Sequence, residues 1–263
     1  MSQKKEKLQR RMAKKMLEPY IQQEISNRRK EWNRKFAKGG LEKEKVSRKD
    51  YIRERVFGGS PVAFVAGERL RRIKESGILG NVIYQGSENS CVSCSFTWTN
   101  MYNSYFRSSN KIALNWRSLW DLVPKYEGGS KPRDNGDVLR KNGQSEVGKE
   151  NPEKYKINNY LYLGDKSYKN IVETLKDTPV IIGVYSDEAG LSFNKFGHAI
   201  VCVDLDENGN YVCINWWNAE SQDIVTIPKE TKLLTALTLE DLPDEVKPSE
   251  VRRGWWGALN HWL

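Results

Sequence analysis

The hydrophobic pattern changes period along this chain. Phe96, Trp98, Met101, Tyr102 and Tyr105 recur mostly at three- and four-residue steps, which predicts a helix that starts near Cys94. Residues 180–185 form an apolar run of strand length and predict a buried strand. Residues 198–204 and 211–216 predict two more strands, joined through the hairpin-forming Asp206-Glu207-Asn208-Gly209. Residues 224–227 and 232–237 read as further strands. Residues 68–75, 118–123 and 167–175 read as short helices, the last with Ile171 and Leu175 on one face. Residues 127–158 are rich in Gly, Lys and Asn and predict surface chain with a helical turn at Val138-Leu139.

Composition narrows the class. The chain has 263 residues, a hydrophobic fraction of 38% and nine Trp, enough for one large core or two lobes sharing a cleft. Four cysteines without obvious partners point to a reducing, cytoplasmic compartment or a packaged particle. Cys202 and Cys213 read as small buried apolar residues, not placed opposite each other by a simple two-residue turn. Cys91-x-x-Cys94 has no second Cys pair and no nearby His, so neither a metal nor any other cofactor is expected. No apolar run of about 18 residues and no secretory signal is visible, so neither a membrane span nor signal-directed secretion is expected.

The candidate chemistry is that of a thiol. A cysteine in the first turn of a helix meets unpaired N–H groups and the positive end of the dipole, which favour a thiolate. Cys94 is the residue expected there. A base must lie near it, and the chain has two histidines, His198 and His261. His198 opens the strand-like Phe-Gly-His-Ala-Ile-Val-Cys-Val, and Asn215 follows in Cys-Ile-Asn-Trp-Trp. A strict Asn-Gly turn would set 198 opposite 219, too far along the strand from 215. Pairing His198 with Asn215 therefore requires a bulge or a different closing turn.

The order Gln85, Cys94, His198, Asn215 resembles that of the papain-like cysteine peptidases. Cys91-Val92-Ser93-Cys94-Ser95 is similar to the family's Cys-Gly-Ser-Cys-Trp. Gly197-His198-Ala199 and Asn215-Trp216-Trp217 are similar to its His and Asn contexts, and Leu122-Val123 followed by Gly128-Gly129 to its cleft-lining glycines. The resemblance covers residues 75–230. It implies an α+β, two-lobe fold, with a helical lobe carrying the cysteine and an antiparallel β lobe carrying His198 and Asn215. It implies an endopeptidase acting on polypeptide through a thioester at Cys94. His198 would be the acid and base, Asn215 its orienting partner, and Gln85 an oxyanion donor. Gly128, Gly129 and Trp217 would line the substrate site. Three departures stand out. Gln85 is nine residues before Cys94, longer than the family's usual spacing, which implies an insertion. His198 and Asn215 follow Cys94 by 104 and 121 residues, against roughly 130–150 in the family. Cys91 would have a disulfide partner in the family, but the segment reads Leu122-Val123-Pro124-Lys125, so Cys91 is expected unpaired.

Residues 1–57 are expected to form a helical arm, with residues 58–263 as the peptidase domain and its aromatic tail. Residues 1–56 carry 19 Lys and Arg against 8 Asp and Glu, while the remainder carries 24 against 26. The arm therefore holds the net positive charge of the protein. Its apolar stripes are thin, which suits docking to an acidic protein or to nucleic acid. A solvated extension and an inhibitory segment over the cleft are the alternatives. The altered flanks of Cys94, the arm and the tail also admit a different function: an inactive peptidase fold serving in an assembly such as a virus or phage particle.

Overall fold

The structure is a computed structural model that describes residues 65–106, 111–149, 154–163 and 166–240. The predicted arm and the aromatic tail lie outside the described residues. Helices gather in the first half: α1 (Glu68–Ser76), a 3₁₀ turn (Ile78–Gly80), α2 (Cys91–Phe106), α3 (Trp116–Trp120) and α4 (Pro132–Asn142). The second half brings β1 (Asn159–Tyr162), α5 (Tyr168–Leu175), β2 (Val180–Tyr185), β3 (Gly197–Leu205), β4 (Tyr211–Asn215), β5 (Asp223–Ile227) and β6 (Thr235–Glu240). The strands form one antiparallel sheet in the order β1-β6-β2-β3-β4-β5.

Helix α2 is the core of the helical lobe. Every residue from Cys91 to Asn103 is buried, so the helix has no solvent face along that stretch. Its large apolar side chains, Phe96, Trp98 and Met101, are each fully buried, at about 1.5–3 kcal/mol apiece. Two of its hydroxyls satisfy themselves by bonding back one turn: Ser95 Oγ donates to the Cys91 carbonyl and Thr99 Oγ1 to that of Ser95, both at 2.9 Å. Ile181, Ala199, Val201, Ile214 and Leu237 belong to the core that includes Phe96, Trp98 and Met101 of α2, while Val180, Ile182, Ile200, Cys202 and Cys213 belong to the core that includes Ile171 and Leu175 of α5. This alternation is the period of two expected of strands buried on both faces.

The β3–β4 hairpin sets the register of the site. Asp206 N donates to the Asn210 carbonyl and Gly209 N to that of Asp206, both at 3.0 Å, closing a three-residue loop with Gly209 at φ 79°. That left-handed position suits glycine. Leu205 then pairs with Tyr211 and Asp204 with Val212, but Cys202 pairs with Cys213: a bulge at Val203 shifts the register by one. Without it, His198 and Asn215 would lie on opposite faces of the sheet. With it they share a face. The bulge also frees Asp204, whose carboxylate accepts from Gly67 N at 3.0 Å and Leu70 N at 2.7 Å and so caps α1. Both routes that the sequence left open, a longer turn and a bulge, are used together.

Three expectations are corrected. Residues 127–158 are more than a surface loop with one helical turn. They contain the eleven-residue α4, which starts with Pro132 in its first turn and buries Asn135, Gly136 and Leu139. Cys202 and Cys213 are directly opposite, because the bulge changes the count. Strand β1 was not anticipated; it pairs with β6 at the sheet edge.

Candidate active site

Cys91, not Cys94, is the thiol that meets the histidine strand. Ser90 O accepts the first intrahelical bond, from Cys94 N at 3.0 Å, so the helix begins at Cys91. Cys91 Sγ accepts a hydrogen bond from Ala199 N at 3.3 Å. Ala199 follows His198 in β3, so the thiol sits against the start of that strand. Cys94 lies one turn deeper. Its Sγ is 3.8 Å from Ser90 Oγ, and burial pushes its thiol well above the usual range. The low pKa expected of Cys94 is not found, because burial opposes its ionisation, and the helix starts one turn earlier than its hydrophobic period suggested.

The spacing now falls into place. Gln85 precedes Cys91 by six residues, so no insertion is needed. That spacing was the signal available in the sequence, and the nine residues to Cys94 were the warning. None of the four cysteines is in a disulfide, and all four are buried.

On the sheet side, His198 Nε2 lies 2.8 Å from Asn215 Oδ1. Continued pairing would set His198 opposite Trp217, with Asn215 two residues away on the same face, a diagonal that long side chains can bridge. The His198 ring stacks on Trp217 at 4.2 Å and 24°, with the edge of Phe196 at 6.4 Å. His198 is 1% exposed. Burial pulls its pKa down to about 4, partly opposed by the bond to Asn215. Trp216 is buried at the end of β4; its Nε1 donates to the Ala199 carbonyl at 2.9 Å. Ala199 thus has its N–H on the thiol and its carbonyl on the indole, where a ladder pair would otherwise stand.

Gln85 lies beside this frame. Its backbone N–H donates to the Trp216 carbonyl at 3.0 Å and its Nε2 to the Glu88 carbonyl at 2.7 Å; its Oε1 is buried without a partner. Nε2 carries a second N–H. Arg117 holds Glu88 at 2.5 Å and so fastens the same loop to α3. Gly128 and Gly129 sit in the tight turn closed by Tyr126 N to the Gly129 carbonyl at 2.6 Å. The next residue, Ser130, accepts from Asn135, which in turn accepts from Ser93 Oγ on α2, so the glycine turn is tied to the start of that helix. Among the described residues no group of three or more His, Cys, Asp or Glu side chains could hold a metal, and no helix is long and apolar enough to cross a membrane.

No family model matches the chain, and no curated protein matches it. Solved structures do match. The chain is similar to digestive procathepsin L2 proteinase from Tenebrio molitor larval midgut, at 18% identity and a TM-score of 0.59 over 92% of this chain and 95% of that one. It is similar to xylellain, a cysteine protease from Xylella fastidiosa, at 15% identity and 0.54 over 78% and 96%. It is also similar to the bromelain protease from Ananas comosus in complex with the E64 inhibitor, at 14% and 0.52 over 64% and 97%. Neither the fold nor these neighbours supports the viral or phage source. The chain has the α+β papain-like cysteine protease fold, with Cys91 at the start of the buried helix and the His198–Asn215 pair on the antiparallel sheet.

Proposed function

We propose that the protein is a cysteine endopeptidase with Cys91 as nucleophile. The observation that carries this reading is the juxtaposition of Cys91 Sγ, at a helix start, with the beginning of β3, where Ala199 N meets the thiol and the preceding His198 imidazole is held by Asn215. A neutral imidazole with Nε2 on Asn215 keeps Nδ1 for the thiol proton. His198 takes that proton as Cys91 attacks the peptide carbonyl, then gives it to the leaving amine. The acyl group remains on sulfur as a thioester. His198 next removes a proton from water, which attacks the thioester and releases the acid and the thiol. Asn215 and Trp217 hold the ring in place, as the third member does in a triad. The second N–H of Gln85 and the backbone N–H of Cys91 are the proposed donors to the oxyanion. Trp217, Gly128 and Gly129 are proposed to line the path of the substrate polypeptide.

An intact thiol, base and orienting amide favours this reading over that of an inactive assembly component. The test is hydrolysis of a panel of fluorogenic peptides by the full chain and by Cys91→Ala, with and without E-64, the inhibitor bound in the bromelain structure. Turnover that is lost in Cys91→Ala and blocked by E-64 is expected. Turnover that survives Cys91→Ala, or a wild-type chain that cleaves no peptide, would sink the proposal.

A further inference from the structure

Asn215 is held from behind as well as from the front. Its Nδ2 donates to Asp223 Oδ2 at 3.0 Å, across the β4–β5 pair in which Asn215 and Asp223 are direct partners. Its backbone carbonyl accepts from Gln222 Nε2 at 2.6 Å, and Gln222 Oε1 accepts from Ile83 N at 3.1 Å. Asp is disfavoured in strands, and Asp223 makes no ion pair among the described residues. Its carboxylate is spent on the amide.

We propose that Asp223 is a positioning residue that fixes the tautomer of His198 by fixing the direction of the Asn215 amide. This rests on the peptidase reading for its use, though not for its test. An ionised carboxylate only accepts, so Asn215 must turn its NH₂ toward Asp223. Oδ1 then faces His198, and it too only accepts. Nε2 must therefore carry the hydrogen, and in a neutral ring the lone pair is left on Nδ1. With Asp223 removed, the amide is free to turn over and present Nδ2 to the ring. Nε2 would then become the acceptor and Nδ1 the protonated nitrogen, a tautomer that cannot take the Cys91 proton. The effect passes through two hydrogen bonds, and Asp223 itself touches neither substrate nor thiol.

The test uses the full chain labelled with ¹⁵N-histidine in a Cys91→Ala background, where no thiolate can hold a proton on the ring. Only two histidines are present, and His198→Gln identifies the His198 signals. At neutral pH the ¹⁵N shifts are expected to show Nε2 protonated and Nδ1 bare. Asp223→Leu, of similar shape but without an acceptor, is expected to shift His198 toward the Nδ1–H form. Asp223→Asn, which keeps an acceptor at the same place, is expected to restore the original pattern. In the Cys91 protein, Asp223→Leu is expected to lower kcat about tenfold or more with KM within about twofold. An unchanged tautomer in Asp223→Leu, or an equal shift in Asp223→Asn, would overturn the inference. Absence of turnover in the wild type would remove the peptidase reading and leave the tautomer result to decide the role of Asp223.

Discussion

The two halves of the site are built on different principles. The thiol half depends on where one helix begins. Cys91 and Cys94 are a turn apart on the same buried helix, yet Cys91 touches Ala199 N while Cys94 faces Ser90 in a dry interior that opposes ionisation. The base half is over-determined. His198 is held by Asn215, Trp217 and Phe196, and Asn215 by Asp223 and Gln222. A helix start is an all-or-none device, whereas a hydrogen-bonded sheet frame yields by degrees. Substitutions on the two sides should therefore differ in kind.

The sharpest contrast is within α2. Cys91→Ala is expected to lower kcat/KM by at least about a thousandfold, with little change in stability. Cys94→Ala is expected to leave kcat/KM within about threefold while costing about 1 kcal/mol of stability. Peptide hydrolysis and thermal melting of the two variants check both; a reversed pattern would place the nucleophile at Cys94 after all. Asn215→Ala is expected to cost about a hundredfold in kcat, since the ring loses its alignment while thiol and imidazole remain. Loss as large as that of Cys91→Ala would mean that the base half is not graded.

The pH response separates the halves again. Burial holds His198 at about 4, so the imidazole is neutral and able to accept a proton down to that pH. The acid limb of kcat/KM is expected near pH 4. Trp217→Ala, which opens the ring to water, should move it up toward the ordinary value of about 6.5. The same shift bears on stability. The unfolded chain binds the proton near pH 6.5 and the folded chain only near 4, so this stability is fully present above 6.5. It is lost as pH falls to 4, by roughly 3 kcal/mol. Denaturant unfolding across that window should show the loss in the wild type and a flatter curve in His198→Gln. The smallest effect is expected from removing residues 1–57. If both halves are self-contained in the domain, kcat/KM stays within about threefold; a large rise would identify that segment as a cover over the cleft.

The hairpin was legible because two apolar runs of strand length flank Asn208-Gly209, which marks their turn. The bulge at Val203 was not, since it is stabilised by Asp204 reaching the N-terminus of α1, a contact more than 130 residues apart in sequence. The helix start at Cys91 is not legible from the pattern, because two cysteines three apart on a helix share its period, and periodicity does not say where the helix begins. The six-residue interval from Gln85 carried that information. Helix α4 was half seen: Pro132 is a start signal, but Asp134, Asn135 and Gly136 are weak helix formers, held by tertiary bonds such as Ser93 to Asn135. Asp223 was invisible in sequence because its meaning comes from lying opposite Asn215 on the next strand.

Mapping the thiol whose modification ends activity decides whether Cys91 is the nucleophile. The full chain is treated briefly with iodoacetamide near neutral pH, sampled for residual peptide hydrolysis, and digested for mass spectrometry. Carboxamidomethylation at Cys91 is expected in step with loss of activity, ahead of Cys94, Cys202 and Cys213. Activity lost in step with an adduct on Cys94, or activity retained when Cys91 is fully modified, would contradict that role for Cys91.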